Sequence, residues 1–253
     1  PGDEVIVPAA TFTTVISPIL QVGLVPVFVD VEMETYNICP KAIERAITDK
    51  TKLIMMVHSL GCSADMEGIM SISKKHKIPV LEDCCEAHGS SYKGKKVGSF
   101  GVLSTWSFFV AHNMTTGEGG MVLTDDDELE DILRSIREFG RLKKYEPGKP
   151  RFYYNDGHLK DYDERYVFTN IGYNLRMTDI AASLGIEQLK KLDSLNAIRG
   201  VHAMDYIYGL VDYENKFIKL PTIPKGTEHT FYGFPILIKE DAPFTRKELV
   251  NAL

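Results

Sequence analysis

Short runs that are apolar at nearly every position recur through the first third of the chain. They are Glu4 to Val7, Val25 to Val29, Leu53 to Val57 and Val80 to Glu82. A strand with polar residues on one side has that side in water; a strand apolar throughout is covered on both faces. Helix-like stretches separate these runs. Thr11 to Val22 reads as one, with Pro18 arguing for a break or kink. Pro40 to Thr48 carries proline in its first turn. A third opens at Asp65 or Met66 and runs to about His76. Buried strands alternating with helices leave one broad class: α/β, a parallel or mostly parallel sheet sandwiched by helices.

The stretch from Ser104 to Thr124 sits at the centre of this pattern. Trp106 to Val110 and Met121 to Leu123 read as two more buried strands. Gly117, Gly119 and Gly120 lie between them, where a backbone without Cβ atoms turns tightly and approaches a ligand closely. His112 is placed where the first of these strands ends. Beyond Thr124, acids at 125–128 open a helix whose dipole favours them, with Leu129, Ile132, Leu133 and Ile136 as its buried stripe. That acidic run reads as a solvated cap rather than a metal site. Arg141 to Val167 is polar and weakly periodic, a loop long enough to be functional. Helices follow over Thr178 to about Leu192 and Asn196 to Tyr208. Phe231 to Ile238 reads as the first strand of a second unit, and a helix begins near Phe244. The expected division is residues 1–195 for a large domain and 196–253 for a connecting helix and the start of a small α/β domain. Both ends read as cut, with chain expected before Pro1 and after Leu253.

Composition removes several classes of function. The 253 residues carry a formal net charge of −6 with a pI near 5.7, which argues against a nucleic-acid surface. No apolar run is long enough to span a bilayer, and no signal peptide opens the chain. The cysteines are Cys39, Cys62, Cys84 and Cys85, without a C-x-x-C spacing, so neither zinc nor a disulfide framework is expected. A reduced, cytoplasmic protein is the simplest reading.

Taken alone, the candidate residues leave their roles open. Asp83, just past a buried strand, is suited to binding a metal, orienting a histidine, facing a protonated ring nitrogen or capping a helix. Ser107 offers a hydroxyl donor at a strand end. Phe12 is suited equally to a ring-stacking role and to the core. His112 is a titratable group at the strand end where sheet enzymes place their chemistry.

Jointly, three segments are specific. Ser107-Phe108 with the Thr-Thr-Gly-Glu-Gly-Gly turn at 115–120, Asp83 with its flanks, and Gly172-Tyr173-Asn174-Leu175-Arg176-Met177 resemble the DegT/DnrJ/EryC1/StrS sugar aminotransferases. These are fold-type I enzymes dependent on pyridoxal phosphate, with a mostly parallel, seven-stranded-type sheet. The resemblance implies that Asp83 keeps the pyridine nitrogen protonated, Glu86 contacts the coenzyme 3-hydroxyl or the substrate, Ser107 binds the phosphate and Phe12 stacks on the ring. It implies that Asn174 reaches the phosphate of a neighbouring subunit, hence a homodimer with shared sites. His58, His88 and His229 stand at family-like positions without an assigned role. The main phosphate loop is expected upstream of Pro1.

One departure redirects the reading. His112 stands where the family carries the lysine that tethers the coenzyme, as in a branch resembling 3-dehydratases of nucleotide-linked 4-keto-6-deoxyhexoses. Imidazole forms no stable tether, but it serves as a general base near neutral pH. Pyridoxamine phosphate, held non-covalently, is then the expected entry form. The substrate expected is a nucleotide-linked 4-keto-6-deoxyhexose in deoxysugar or lipopolysaccharide synthesis, with sugar and nucleotide open. The cluster-bearing branch carries cysteines in the insertion that matches Arg141 to Val167. None occurs here, so no iron–sulfur cluster is expected, which favours glutamate as amino donor, while Tyr162 to Thr178 and Phe231 to Thr245 are closer to the cluster-bearing CDP-sugar branch and leave reductase-coupled turnover open. The alternatives are an ordinary sugar aminotransferase and a non-catalytic relative that lost its lysine.

Overall fold

The computed structural model describes residues 1–142 and 166–253. Its first half alternates β1 (Glu4–Pro8), α1 (Thr13–Gln21), β2 (Val25–Val29), α2 (Pro40–Ala46), β3 (Thr51–Val57), α3 (Met66–His76) and β4 (Val80–Asp83). Two-residue strands β5 (Ser91–Tyr92) and β6 (Lys95–Lys96) follow, then β7 (Leu103–Ser107), β8 (Gly120–Leu123) and α4 (Asp127–Arg137). After residue 166 come α5 (Asp179–Leu189), α6 (Leu192–Leu210), β9 (Ile218–Lys219), β10 (Thr227–Glu228), β11 (Leu237–Ile238) and α7 (Arg246–Ala252).

The main sheet has six strands in the order β2-β1-β3-β4-β7-β8. Every pair is parallel except β7 with β8. Residue alternation on β1 shows why both faces must be covered. Val5 and Val7 pack with Val15 and Ile19 of α1, while Ile6 packs on the other side with Ile43 of α2 and Met66 and Ile69 of α3. Helix α3 is well delimited: the Asp65 carboxylate accepts from Gly68 N–H, and Lys77 ends the helix in the left-handed region at φ 56°.

Five expectations need correction. Met121 to Leu123 forms a strand, but as the edge strand β8 it is exposed throughout rather than buried. Pro18 does not break α1, which runs through it. The proline lies on the solvent side, and Val15 and Ile19 anchor the same helix to the sheet. The strand expected at Trp106 to Val110 lies three residues earlier, at Leu103–Ser107. The serines hid it: Ser104 is buried because its hydroxyl accepts from the Trp106 indole at 3.0 Å. Phe108 instead enters a separate cluster with Met114 and Leu192. Phe231 to Ile238 pairs only at Leu237–Ile238, since Phe231 takes a positive φ of 46° that ends extended pairing. Finally, the α4 stripe is only partly covered, and Ile132 is exposed, because α4 follows an edge strand and lacks an overlying layer among the described residues. The loop expected over Arg141 to Val167 falls largely on 143–165, outside the described residues.

Candidate active site

All the parallel strands end at one edge of the sheet, and β4 delivers two carboxylates there in succession. Glu82 and Asp83 point to opposite faces, since side chains alternate along a strand. Glu82 faces the side packed by α2 and α3, in register with Met56, and is fully buried. Its oxygens accept from four groups: His58 Nε2 at 3.0 Å, Gly98 N–H at 2.7 Å, Phe100 N–H at 2.7 Å and Gly101 N–H at 2.6 Å. Burial pushes this carboxyl up, but the His58 hydrogen bond and the Gly101 and Gly98 amides outweigh it and hold it below the usual carboxylate range. His58 is satisfied too, because its Nδ1 accepts from Ala64 N–H at 3.2 Å, which places the ring proton on Nε2. His58, Glu82 and Cys84 lie close enough to suggest a metal, but the histidine nitrogens and carboxylate oxygens are engaged with each other and with backbone.

Asp83 turns to the α1 face. One of its oxygens accepts from Cys85 N–H at 3.0 Å. Phe12 is the N-cap residue of α1 on this same face and edge, and it is 72% exposed, so the core reading of Phe12 is excluded. Glu86 accepts from Leu60 N–H at 2.6 Å. Burial raises its pKa, opposed by the Leu60 amide and reinforced by the Asp83 charge.

His112 is carried by the loop between β7 and β8, beyond the strand end expected for it. Its own N–H donates to the Phe109 carbonyl at 3.0 Å, forming a tight turn, and Gly117 supplies the positive φ of 80° that brings the chain back to β8. The ring is half-buried. Burial lowers its pKa, while the Asp83 charge pulls it back, so the two side chains sense each other across the site. Nδ1 of His112 is buried without a hydrogen-bond partner. Ser107, at the end of β7, accepts from Phe109 N–H at 3.2 Å, leaving its own proton free to donate. Behind His112 lies His88, its centroid 6.3 Å away, only 3% exposed and pressed by burial to a pKa of about 4.

Asn174 is not brought to this cluster within the chain. It is exposed and bridges the backbone of Glu138. Residues that sequence reasoning passed over complete the site. Asn196 of α6 donates to the His88 carbonyl at 2.8 Å and accepts from Asn113 at 3.1 Å and Arg199 at 3.4 Å. Tyr232 lies 5.3 Å from His112, centroid to centroid. No local motif marks these residues; the long helix and the 229–233 strap bring them in. His229 is placed by this strap, accepting from Phe231 N–H at 2.9 Å and stacking on its ring at 3.9 Å.

A parallel α/β sheet with a carboxylate, a serine and a histidine at the carboxyl ends of adjacent strands defines the class, and the comparison with known proteins defines the family. The chain belongs to the DegT/DnrJ/EryC1/StrS aminotransferase family, whose model matches residues 1–253. It is 43% identical over 259 residues to a dTDP-4-dehydro-2,6-dideoxy-D-glucose 3-dehydratase of Saccharopolyspora spinosa, covering 100% of this chain and 56% of that enzyme. Among solved structures it is similar to an E. coli GDP-4-keto-6-deoxy-D-mannose-3-dehydratase with bound hydrated PLP, at a TM-score of 0.86 and 34% identity, over 99% of this chain and 63% of that one. A GDP-4-keto-6-deoxymannose-3-dehydratase with a trapped PLP-glutamate geminal diamine superposes at a TM-score of 0.87 with 34% identity, over 99% and 63%. The chain thus spans somewhat over half the length of the relatives it matches. Among the described residues no helix is long and apolar enough to cross a membrane.

Proposed function

We propose that this chain serves the 3-dehydration of a nucleotide-linked 4-keto-6-deoxyhexose with a vitamin B6 coenzyme, with His112 as general base. The observation that carries the reading is the half-buried imidazole of His112, in the position of the family's lysine and within electrostatic reach of Asp83. The residues fit the coenzyme. Phe12 exposes a large flat ring at the strand-end edge, and His112 Nδ1 lacks a partner. When bound, pyridoxamine phosphate supplies an amine for the ketone and a ring that withdraws electrons from it. Asp83 holds the proton on the ring nitrogen. Ser107 donates its hydroxyl proton to the phosphate, Glu86 lies beside the 3-hydroxyl or the substrate, and Phe12 covers one face. His112 would accept a proton from C4′ and, once charged, would donate it to the C3 hydroxyl as that group leaves as water.

Glutamate as amino donor is supported by the adduct in the structural relative and by the lack of cysteine in 141–167. A homodimer with shared sites, in which Asn174 serves the neighbouring subunit, is supported by exposed Ile171, Leu175 and Ile180 flanking that residue. The division at 195/196 falls within α6, which we read as the link between a large domain and the start of a small one.

Incubation with pyridoxamine phosphate and GDP-4-keto-6-deoxymannose in deuterated water tests the reading. A deuterium-bearing 3-deoxy product is expected. A 4-amino sugar identifies an aminotransferase instead, and no turnover a binding protein. His112→Lys is expected to give a yellow protein with a borohydride-reducible bond to pyridoxal phosphate and dehydration lower by roughly 10²–10⁴-fold. Dehydration surviving that change intact removes His112 from the role.

A further inference from the structure

Tyr232 belongs to no motif, yet it is held over His112 by a chain of fixed contacts. Thr230 N–H donates to the Gly61 carbonyl at 3.0 Å, and Gly233 N–H to the Leu60 carbonyl at 3.3 Å, so both sides of Tyr232 are pinned to the 59–61 turn. That turn is anchored in the site itself, since Leu60 N–H donates to Glu86 at 2.6 Å. It is shaped to receive the strap: Leu60 takes φ 56°, and a Cβ on Gly61 would meet Thr230 Oγ1 at 2.6 Å. Phe231, at φ 46°, leaves the extended region immediately before Tyr232 and is braced by stacking on His229. A left-handed residue stacked between two pinned neighbours is a costly way to hold a loop. Its effect is to lay the tyrosine ring on His112 with the planes 33° apart.

The phenol hydroxyl makes no hydrogen bond among the described residues, and the side chain is half-buried. Groups from each surrounding element face this space. Glu86, from the segment after β4, and Arg199 of α6 act on the phenol, and His112 of the β7–β8 loop lies against its ring. Burial and the Glu86 charge push the phenol above its ordinary value of 10.0, against Arg199, so the hydroxyl keeps its proton and is a donor. Nδ1 of His112 is enclosed and has no partner among the described residues. The Tyr232 and His112 rings thus lie side by side, 5.3 Å apart and both half-buried.

We propose that Tyr232 closes the site over His112 and that its phenol hydroxyl donates a hydrogen bond to a hydroxyl of the sugar substrate. The inference rests on the dehydratase reading for the identity of the substrate. The ring supplies the apolar cover that dries His112; the hydroxyl distinguishes a polyhydroxylated ligand from an apolar one.

Two variants separate the two parts. Tyr232→Phe keeps the ring and removes the donor; Tyr232→Ala removes both. Histidine NMR titration of the coenzyme-free proteins is expected to leave the His112 pKa unchanged in the phenylalanine variant and to raise it in the alanine variant, as the imidazole regains water. Calorimetric affinity for GDP-4-keto-6-deoxymannose is expected to fall roughly three- to tenfold in Tyr232→Phe, the range for a lost neutral hydrogen bond, with kcat/KM lowered by a similar factor. Unchanged affinity and kcat/KM in Tyr232→Phe overturn the hydroxyl contact; an unchanged His112 titration in Tyr232→Ala overturns the cover. If the parent binds the nucleotide sugar without dehydrating it, the dehydratase reading fails, while the affinity ratio still decides whether Tyr232 touches the sugar.

Discussion

Two buried histidines flank the end of β4 and are treated in opposite ways. His58 has a partner on each ring nitrogen, and its carboxylate partner Glu82 accepts four hydrogen bonds. His88, just past the same strand end and 3% exposed, makes only weak contacts to the Asn113 side chain and the Ser107 backbone, and Nδ1 of His112 beside it has no hydrogen-bond partner among the described residues. A buried polar group left unpaired costs about 1–3 kcal/mol, so evolution of stability alone would fill these positions. The contrast separates a scaffold from a workplace. On the α2/α3 face of β4 the buried carboxylate and its histidine close on each other and on backbone amides; past the strand end, around His88 and His112, polar atoms are held less completely.

The largest expected effect breaks the closed half. Glu82→Gln puts an amide NH2 where two donors already converge, whichever way it is turned. At least one pair among His58, Gly98, Phe100 and Gly101 is left facing a donor. A loss of about 3–5 kcal/mol in unfolding free energy is expected, the range for breaking a buried charged network, read by urea denaturation at pH 7. A loss under about 1 kcal/mol would mean that the network is decorative.

The second effect uses pH to read the open half. His88 and His229 are each held near a pKa of about 4 against an ordinary 6.5, burial being the main cause. Their folded-state values are depressed, so between pH 6.5 and pH 4 the unfolded chain binds protons that the native chain does not. Stability from these two sites is therefore full above about pH 6.5 and is lost as pH falls toward 4. Each contributes on the order of 3 kcal/mol over that window. Denaturation series at pH 7 and pH 5 are expected to show the loss, and His88→Gln to flatten it by roughly half. An identical pH slope in that variant would show that His88 already titrates normally.

Much of this was legible in the sequence because burial writes itself as uniform apolarity. The strands at Val25–Val29 and Val80–Glu82, and a helix opening at Asp65 or Met66, could be read directly, although edge strand β2 leaves Val25 and Phe28 exposed. Asp83, Ser107 and His112 were readable as candidates from the family pattern; Asp83 and Ser107 end strands, while His112 lies in the loop after β7. What could not be read was produced by tertiary contact. Ser104 looks polar but is buried by its bond to Trp106, which displaced β7 in the reading. Tyr232 looks like part of a strand, and only the docking of Thr230 and Gly233 on the 59–61 turn makes it a neighbour of His112. The Glu82 network looks like one more acid in Leu-Glu-Asp, because its partners are backbone amides from a separate loop, and amides leave no trace in a sequence.

The smallest expected effect sharpens the same contrast at a second carboxylate. Glu86 accepts a single backbone hydrogen bond, from Leu60, where Glu82 accepts four hydrogen bonds in all. An amide carbonyl accepts one bond as well as a carboxylate oxygen does, and its NH2 is free to turn toward the open side. Burial works against charge at this position and raises the Glu86 pKa, whereas at Glu82 the hydrogen bonds outweigh burial and the pKa is lowered. The neutral isostere therefore removes a desolvation cost while keeping the Leu60 contact. Glu86→Gln is expected to change unfolding free energy by less than about 1 kcal/mol, with no loss at pH 7, measured in the same urea series as Glu82→Gln. Two Glu→Gln changes only a few residues apart would then differ severalfold in cost, and the difference would be set by the number of donors each carboxylate faces. Equal costs would mean that the charge of Glu86 is itself structural, and that the open half of the site is held together by ionic terms the hydrogen-bond geometry does not reveal.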